Sequence, residues 1–293
     1  GVKPEIVFET PLSAVIDAHD AMGQVTAADG MRLAIEKAKK TGVGLVQVRD
    51  SNHYGIAGYY AKMAADQDLL GICMTNTEAI MVPTFGKEAM LGTNPIAVAM
   101  PAEPVPFMFD AATTVIPRGK LEVYNKQGKP VPPGWILDAD GIDSTNPGEV
   151  LGNIIAKRGG GILPLGGSGE KNSGHKGYGF GLICELCTGI FSSGKTSNHV
   201  NRTPGRINIA QCFWAIDYAL FGDKEQIRRN FSVFLDELRQ SQKAVGQSRI
   251  YVHGDKEVES ADEKRANGIP VNEKTLAEMQ RIAEYLQVSP CQL

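Results

Sequence analysis

The period of the apolar positions changes several times along the chain, and each change predicts an element. In VTAADGMRLAIEKAKKTG, residues Met31, Leu33, Ala34 and Ala38 recur at helical spacing until Gly42, which predicts a helix with a lysine-rich end. GLVQVRD, short and β-branched, predicts a strand that opens into the polar loop Ser51, Asn52, His53, Tyr54 and Gly55. IAGYYAKMAADQDL returns to helical spacing, and LLGICMTNT reads again as a strand. Such alternation predicts parallel neighbours joined through a helix.

The rhythm then breaks. NPIAVAMP, VPFMFDAAT and LEVYNKQGKPVPPGWILDADG predict short strands punctuated by Pro and Gly, so a mixed sheet is expected. A glycine-rich run, GGGILPLGGSGEKNSGHKGYG, is longer than an ordinary connection and feeds GFGLICELCTGIFSSG, an apolar helix expected to be buried. Beyond NHVNRTPG the pattern predicts a strand in INIAQCFWAIDYALF, a charged helix in DKEQIRRNFSVFLDELRQSQ, a strand in RIYVHGD and a helix in NEKTLAEMQRIAEYLQ. No internal repeat is visible. Pro204-Gly205 and the glycine-rich run are the candidate joints between domains.

Composition narrows the class. With 293 residues the chain can build one large domain or two ordinary ones. A balance of 30 Lys plus Arg against 33 Asp plus Glu argues against a nucleic-acid binder, which needs a basic face to displace counterions. No apolar run reaches the roughly 18 residues of a membrane span, and the N-terminus carries no export signal, so a cytoplasmic protein is expected. The cysteines Cys73, Cys184, Cys187, Cys212 and Cys291 are odd in number and lie mostly in apolar contexts, which suits reduced thiols. Cys184 and Cys187 form a CxxC inside an apolar helix with no second pair. Packing is the expectation there, and no metal site is expected.

His53 follows a strand, where α/β proteins place their sites, and a neutral imidazole can take a proton from a hydroxyl. The alternative is a loop histidine that helps cap the next helix. His175 and Lys176 lie where the glycine-rich run becomes a helix, an arrangement that favours anions. The alternative there is a surface loop whose glycines permit tight turns. Neither GxxxxGK[ST] nor GxGxxG occurs in a nucleotide-binding context. Thr75 to Thr77, Gly92 to Pro95 and Asp110 to Thr114 are polar segments at strand ends, which also fit ordinary turns.

Taken in order, RDSNHYGIAGYY, GICMTNTEAIMVPTFG, LGTNPIAVAMP, FDAATTVIPRGK, GWILDADG, LPLGG and GHKGYGFGL resemble the malate/L-lactate dehydrogenase family, which also holds ureidoglycolate and sulfolactate dehydrogenases. The resemblance implies an α/β protein of non-Rossmann type, with a mixed-sheet nucleotide-binding portion at 58–204 and a mainly helical dimerisation and substrate portion from 1–57 and 205–293. It implies hydride transfer between NAD or NADP and a small 2-hydroxy acid, foremost malate, with His53 as proton acceptor. Lactate, ureidoglycolate, sulfolactate and a cyclic imino acid are the alternative substrates, and a catalytically silent nucleotide-binding protein is the alternative function. The resemblance assigns cofactor contacts to Thr77, to Asp110, Ala111 and Ala112, to His175 and Lys176, and to Gly254, Asp255 and Lys256. Asn94 and Pro95 are implied to shape the substrate pocket. Arg118 and Lys120 supply positive charge after the Asp110 turn, or are solvated loop charges. The implied assembly is a homodimer, without nucleic-acid or membrane partners. Relatives are expected to carry a preceding helical segment whose arginine holds the substrate carboxylate, and no residue of this sequence matches it.

Overall fold

A computed structural model describes residues 3–271 and 273–289, so Cys291 lies outside the described residues. The elements are β1 (Glu5–Glu9), β2 (Ser13–Asp17), α1 (Gly23–Thr41), β3 (Val43–Ser51), α2 (Ala57–Ala65), β4 (Leu70–Thr75), β5 (Ile96–Met100), β6 (Phe107–Ala111) and α3 (Arg118–Lys126). There follow β7 (Ile136–Leu137), β8 (Asp143–Ser144), α4 (Pro147–Ala156), β9 (Gly161–Ile162), α5 (Gly174–Glu185), β10 (Ile209–Ile216), α6 (Lys224–Gln240), α7 (Asp255–Asn267) and α8 (Glu273–Leu286). The chain divides into two compact units between Val252 and His253.

The first unit is built on a seven-stranded mixed sheet in the order β1, β2, β3, β10, β4, β5, β6. The strand pair β2 and β3 is the parallel one, joined through α1. The expected parallel pairing of β3 with β4 does not form, because β10 enters between them antiparallel to both. That placement is tertiary. A strand drawn from beyond residue 205 takes the position next to the His53 loop, and nothing local in either strand announces it. The sheet therefore takes strands from all three stretches 1–57, 58–204 and 205–293.

Along β10 successive residues face opposite sides of the sheet. Phe213 joins the core under α1 and α2 with Met31, Val46, Val48, Tyr54 and Tyr60. Cys212 joins a second cluster with Met74, Cys184 and Cys187. A smaller sheet of β8, β7 and β9 packs Ile136 and Ile162 against Leu121 of α3 and Val150, Leu151 and Ile154 of α4.

Several local expectations change. Gly42 does end α1, in a left-handed conformation with its N–H on the Ala38 carbonyl, a cap that glycine adopts without steric cost. LEVYNK lies within α3 rather than a strand, because burial of Leu121 in the small core outweighs the alternating polar pattern. RIYVHGD forms no strand: Val252 packs with Ala102 and Leu235, and the Arg249 guanidinium stacks 4.6 Å from the Tyr251 ring. The turn at Pro204-Gly205 is closed by a Thr203 to Arg206 bridge and lies inside the first unit.

The apolar helix α5 is not fully buried. Gly174, Gly177, Gly181 and Cys184 face inward, whereas Phe180, Leu182, Ile183, Leu186, Ile190 and Phe191 are exposed. After Glu185 the helix widens into a π turn at Leu186–Ile190.

Candidate active site

His53 is held from several directions. Asn52 Nδ2 donates to the carbonyls of Asp20 at 2.9 Å and Ala21 at 3.0 Å, and Gln211 Nε2 of β10 donates to the Asn52 carbonyl at 2.9 Å. Gly23, the first residue of α1, lies so close that a Cβ there would stand 2.2 Å from the Asn52 oxygen and 2.5 Å from the His53 oxygen. Beneath the loop, the stacked rings of Tyr54 and Tyr60 are 4.8 Å apart, and Tyr60 OH donates to the Tyr54 carbonyl at 2.6 Å. Burial, with Cys73 beside it, pushes the Tyr54 phenol well above its usual value, so it stays neutral. The imidazole is exposed, and its Nδ1 accepts the Gly55 N–H at 3.2 Å.

The exposed imidazole opens on a cavity of about 420 Å³ lined by Thr77, Glu78, Ile80, Thr93, Arg118, Asn201 and Ile209, among others. Thr77 sits just past β4, where its Oγ accepts the Thr93 N–H at 3.1 Å. Arg118 begins α3; its Nε donates to Glu122 at 3.0 Å, one turn on. Lys120 instead lies 4.9 Å over the Trp135 ring and does not line the cavity. Glu78 is 3.9 Å from Lys157 and accepts from Asn201 at 3.3 Å.

Asn94 and Pro95 are not among the residues lining this cavity. Asn94 is fully buried at 0% exposure, and its amide nitrogen donates to the Gly181 carbonyl at 3.1 Å and to Glu185 at 2.8 Å. The Pro95 carbonyl faces the Cys184 thiol at 3.8 Å. Burial pushes that thiol and the Cys187 thiol upward, consistent with their packing.

Asp110, Ala111 and Ala112 close β6, and the Asp110 carboxylate accepts the Gly58 N–H at 2.7 Å, which caps the start of α2. The glycine-rich run lies against the same turn: the Leu165 N–H donates to the Thr113 carbonyl at 2.8 Å, and Val115 to Leu163 at 2.9 Å. His175 and Lys176 are exposed in the first turn of α5, which has no acidic side chain and no side-chain cap. A helix end of that composition suits a phosphate. The glycines themselves serve the protein's own packing. A Cβ on Gly177 would stand 2.2 Å from the Leu165 carbonyl oxygen, and one on Gly174 2.1 Å from the Gly167 oxygen.

In the second unit Gly254, with φ of 109°, precedes α7, whose first turn holds Asp255 and Lys256; the Glu257 carboxylate accepts the Gly254 N–H at 3.1 Å. This is helix-start geometry. Among the described residues no group of three or more His, Cys, Asp or Glu is arranged to hold a metal ion, and no helix is long and apolar enough to cross a membrane.

Sequence reading missed Glu78, Asn201 and Ile209 in the cavity. Glu78 adjoins Thr77, but the other two lie beyond residue 200, and only the insertion of β10 brings them near. It also missed Glu185, whose signal was a lone carboxylate in an apolar run.

Comparison with known proteins identifies the family. The family model described as malate/L-lactate dehydrogenase matches residues 1–280. A malate dehydrogenase of Pyrococcus abyssi is 43% identical over 97% of this chain and 77% of its own length. A malate/(S)-sulfolactate dehydrogenase of Methanothermus fervidus is 37% identical, covering 97% of this chain and 79% of the relative. The crystal structure of malate dehydrogenase from Entamoeba histolytica superposes with a TM-score of 0.93 at 36% identity, over 98% of this chain and 81% of the other. With one family model spanning nearly the whole sequence and these relatives aligned along it, the chain belongs to the malate/L-lactate dehydrogenase family, and it is an oxidoreductase that acts on a 2-hydroxy acid with a nicotinamide cofactor.

Proposed function

We propose that the protein interconverts malate and its 2-oxo acid with NAD or NADP, in the cavity that His53 lines. The observation that carries this reading is the meeting of His53 with Thr77 and Arg118, from three separate segments, around one cavity. A bound nicotinamide ring supplies the hydride acceptor. His53 manages the proton that accompanies it. With Nδ1 accepting from Gly55, the neutral ring carries its hydrogen on Nε2, where it can hydrogen-bond a substrate oxygen without giving the proton up. Taking the proton from a hydroxyl at Nε2 uses the other tautomer, with Nδ1 released from Gly55. Arg118 keeps both terminal guanidinium nitrogens for a substrate carboxylate, since its bond to Glu122 uses Nε.

His175 and Lys176 at the start of α5, the Asp110 to Ala112 turn and Thr77 would hold the cofactor, and cofactor contacts are also assigned to Gly254, Asp255 and Lys256 on the family resemblance alone. The uncapped, acid-free first turn of α5 fits the cofactor's phosphates. Asn94 and Pro95, which do not line the cavity, would shape the pocket through their neighbours. The stretches 1–57 and 205–293 would serve as the dimerisation and substrate portion, and 58–204 as the nucleotide-binding portion. The exposed apolar side of α5 supports a homodimer, and the buried unpaired cysteines support a cytoplasmic setting.

Malate is favoured because the Pyrococcus abyssi and Entamoeba histolytica relatives are named malate dehydrogenases. The test is steady-state turnover of malate, lactate, sulfolactate, ureidoglycolate and a cyclic imino acid with each cofactor. Malate is expected to give the highest kcat/KM. A value for another acid about tenfold higher, roughly 1.4 kcal/mol of transition-state preference, would replace malate as the substrate.

A further inference from the structure

Glu185 is buried at 7% exposure and faces only neutral donors. Its Oε1 accepts from Asn94 Nδ2 at 2.8 Å and from Ser197 Oγ in a short contact. Its Oε2 accepts the Ser197 N–H at 3.1 Å and Asn76 Nδ2 at 3.4 Å. No cation pairs with it among the described residues. Removing a carboxylate from water is costly, and an apolar side chain of similar size often serves stability as well or better. A carboxylate kept here is therefore better explained by geometry than by stability.

The three partners show what that geometry is. Asn76 directly precedes Thr77 and Glu78, Asn94 directly follows Thr93, and Ser197 opens the turn that leads to Asn201. Those four neighbours line the His53 cavity. The bonds reach beyond the carboxylate: Asn76 Oδ1 accepts the Ala210 N–H of β10 at 2.9 Å, and its Nδ2 donates to the Lys195 carbonyl at 2.7 Å. Ser197 Oγ also reaches Asn94 Oδ1 at 3.3 Å. The end of β4, the approach to β5 and the 195–201 segment thus meet at one side chain on α5. The π turn begins at the next residue, a local widening that recurs at functional sites.

We propose that Glu185 is a positioning residue for the dehydrogenase reaction: it holds the cavity wall formed by Thr77, Glu78, Thr93 and Asn201 at the distance from His53 that the 2-hydroxy acid requires. The proposal rests on the reading that this cavity is the substrate site. His53 itself hangs on a separate set of bonds through Asn52, Gln211 and Gly23. Loss of Glu185 therefore moves one wall and leaves the proton-handling group in place.

The test is Glu185→Gln in the full chain, assayed against the unaltered protein with malate and cofactor. KM for the acid is expected to rise about tenfold, equivalent to roughly 1.4 kcal/mol. The pH profile of kcat, set by His53, should keep its inflection. A lowered Tm with KM within twofold of the original overturns the proposal, since the residue would then be only structural. If Glu185→Gln does not fold, Ser197→Ala decides in its place: a KM rise of about threefold supports the proposal, and an unchanged KM defeats it. Absence of malate turnover in the unaltered protein would instead remove the substrate assignment. The same KM comparison on whichever acid is turned over then tests Glu185 separately.

Discussion

The His53 loop and the glycine-rich run before α5 are both irregular segments joined to regular elements, yet they are held in opposite ways. The His53 loop is fixed by bonds to other segments, with its own Asn52 donating to the Asp20 carbonyl, Gln211 of β10 donating to the Asn52 carbonyl, and Gly23 pressed against it. The glycine-rich run is shaped by its own backbone. Gly166, Gly167 and Gly169 all have positive φ, and Gly174 and Gly177 meet its carbonyls directly. A base needs one side chain in one place, which distant partners can enforce. An anion site needs backbone donors and room, which small residues provide.

The sharpest way to break this contrast is His53→Ala. It should lower kcat by about 100-fold to 10,000-fold at neutral pH while leaving cofactor Kd unchanged, as read by steady-state kinetics and nucleotide titration. A variant that keeps most of its kcat would return His53 to an ordinary loop residue.

A matched glycine pair sharpens it further. Gly23→Ala and Gly177→Ala each place a Cβ 2.2 Å from a carbonyl oxygen, so each should cost about 1–3 kcal/mol of stability in thermal or denaturant unfolding. Their kinetic signatures should differ. The first should depress kcat through the His53 loop, whereas the second should raise cofactor Kd. Identical signatures would mean that the two segments are not separate devices.

Lys176→Ala addresses the anion side alone. A rise in cofactor Kd of about threefold to tenfold is expected, near 1 kcal/mol for one partly solvated charge, with kcat little changed. An unchanged Kd removes Lys176 from the cofactor site.

The smallest expected effect concerns the support of the His53 side. Burial raises the Asp17 pKa, but the His19 N–H and the Arg49 guanidinium at 3.0 Å lower it more, so its net shift is downward. A depressed carboxyl stabilises the fold above its unfolded pKa, and that contribution fades as pH falls through the folded value. Asp17→Asn should therefore lower Tm at neutral pH, with the difference from the unaltered protein shrinking in acid below the usual aspartate range. A difference independent of pH would show that packing alone matters at this position.

Much of this was legible locally. The helical stripe of α1 and its Gly42 stop, and the strands at 43–51, 70–75, 96–100 and 107–111, follow from side-chain periodicity and turn chemistry within each segment. The candidate base was named through the family resemblance carried by SNHYG, because a lone histidine at a strand end also fits a loop residue that caps the next helix. Other features were hidden. LEVYNK alternates like a strand yet is helical, since Leu121 gains more by entering the core of α3 and α4. The glycines near α5 fit an anion site or tight turns in the sequence, and only the structure shows that Gly174 and Gly177 are pressed against the protein's own carbonyls.

By itself the sequence determined the class of protein, the residue proposed to handle the proton and the order of the elements, because these depend on local pattern and on motifs kept in sequence. Only the tertiary structure decided that β10 separates β3 from β4, that Asn201 and Ile209 reach the His53 cavity, and that Asn94 serves Glu185 rather than lining the pocket. Each of those depends on contacts between segments a hundred residues or so apart, where burial and hydrogen-bond satisfaction are shared by groups that no local pattern connects.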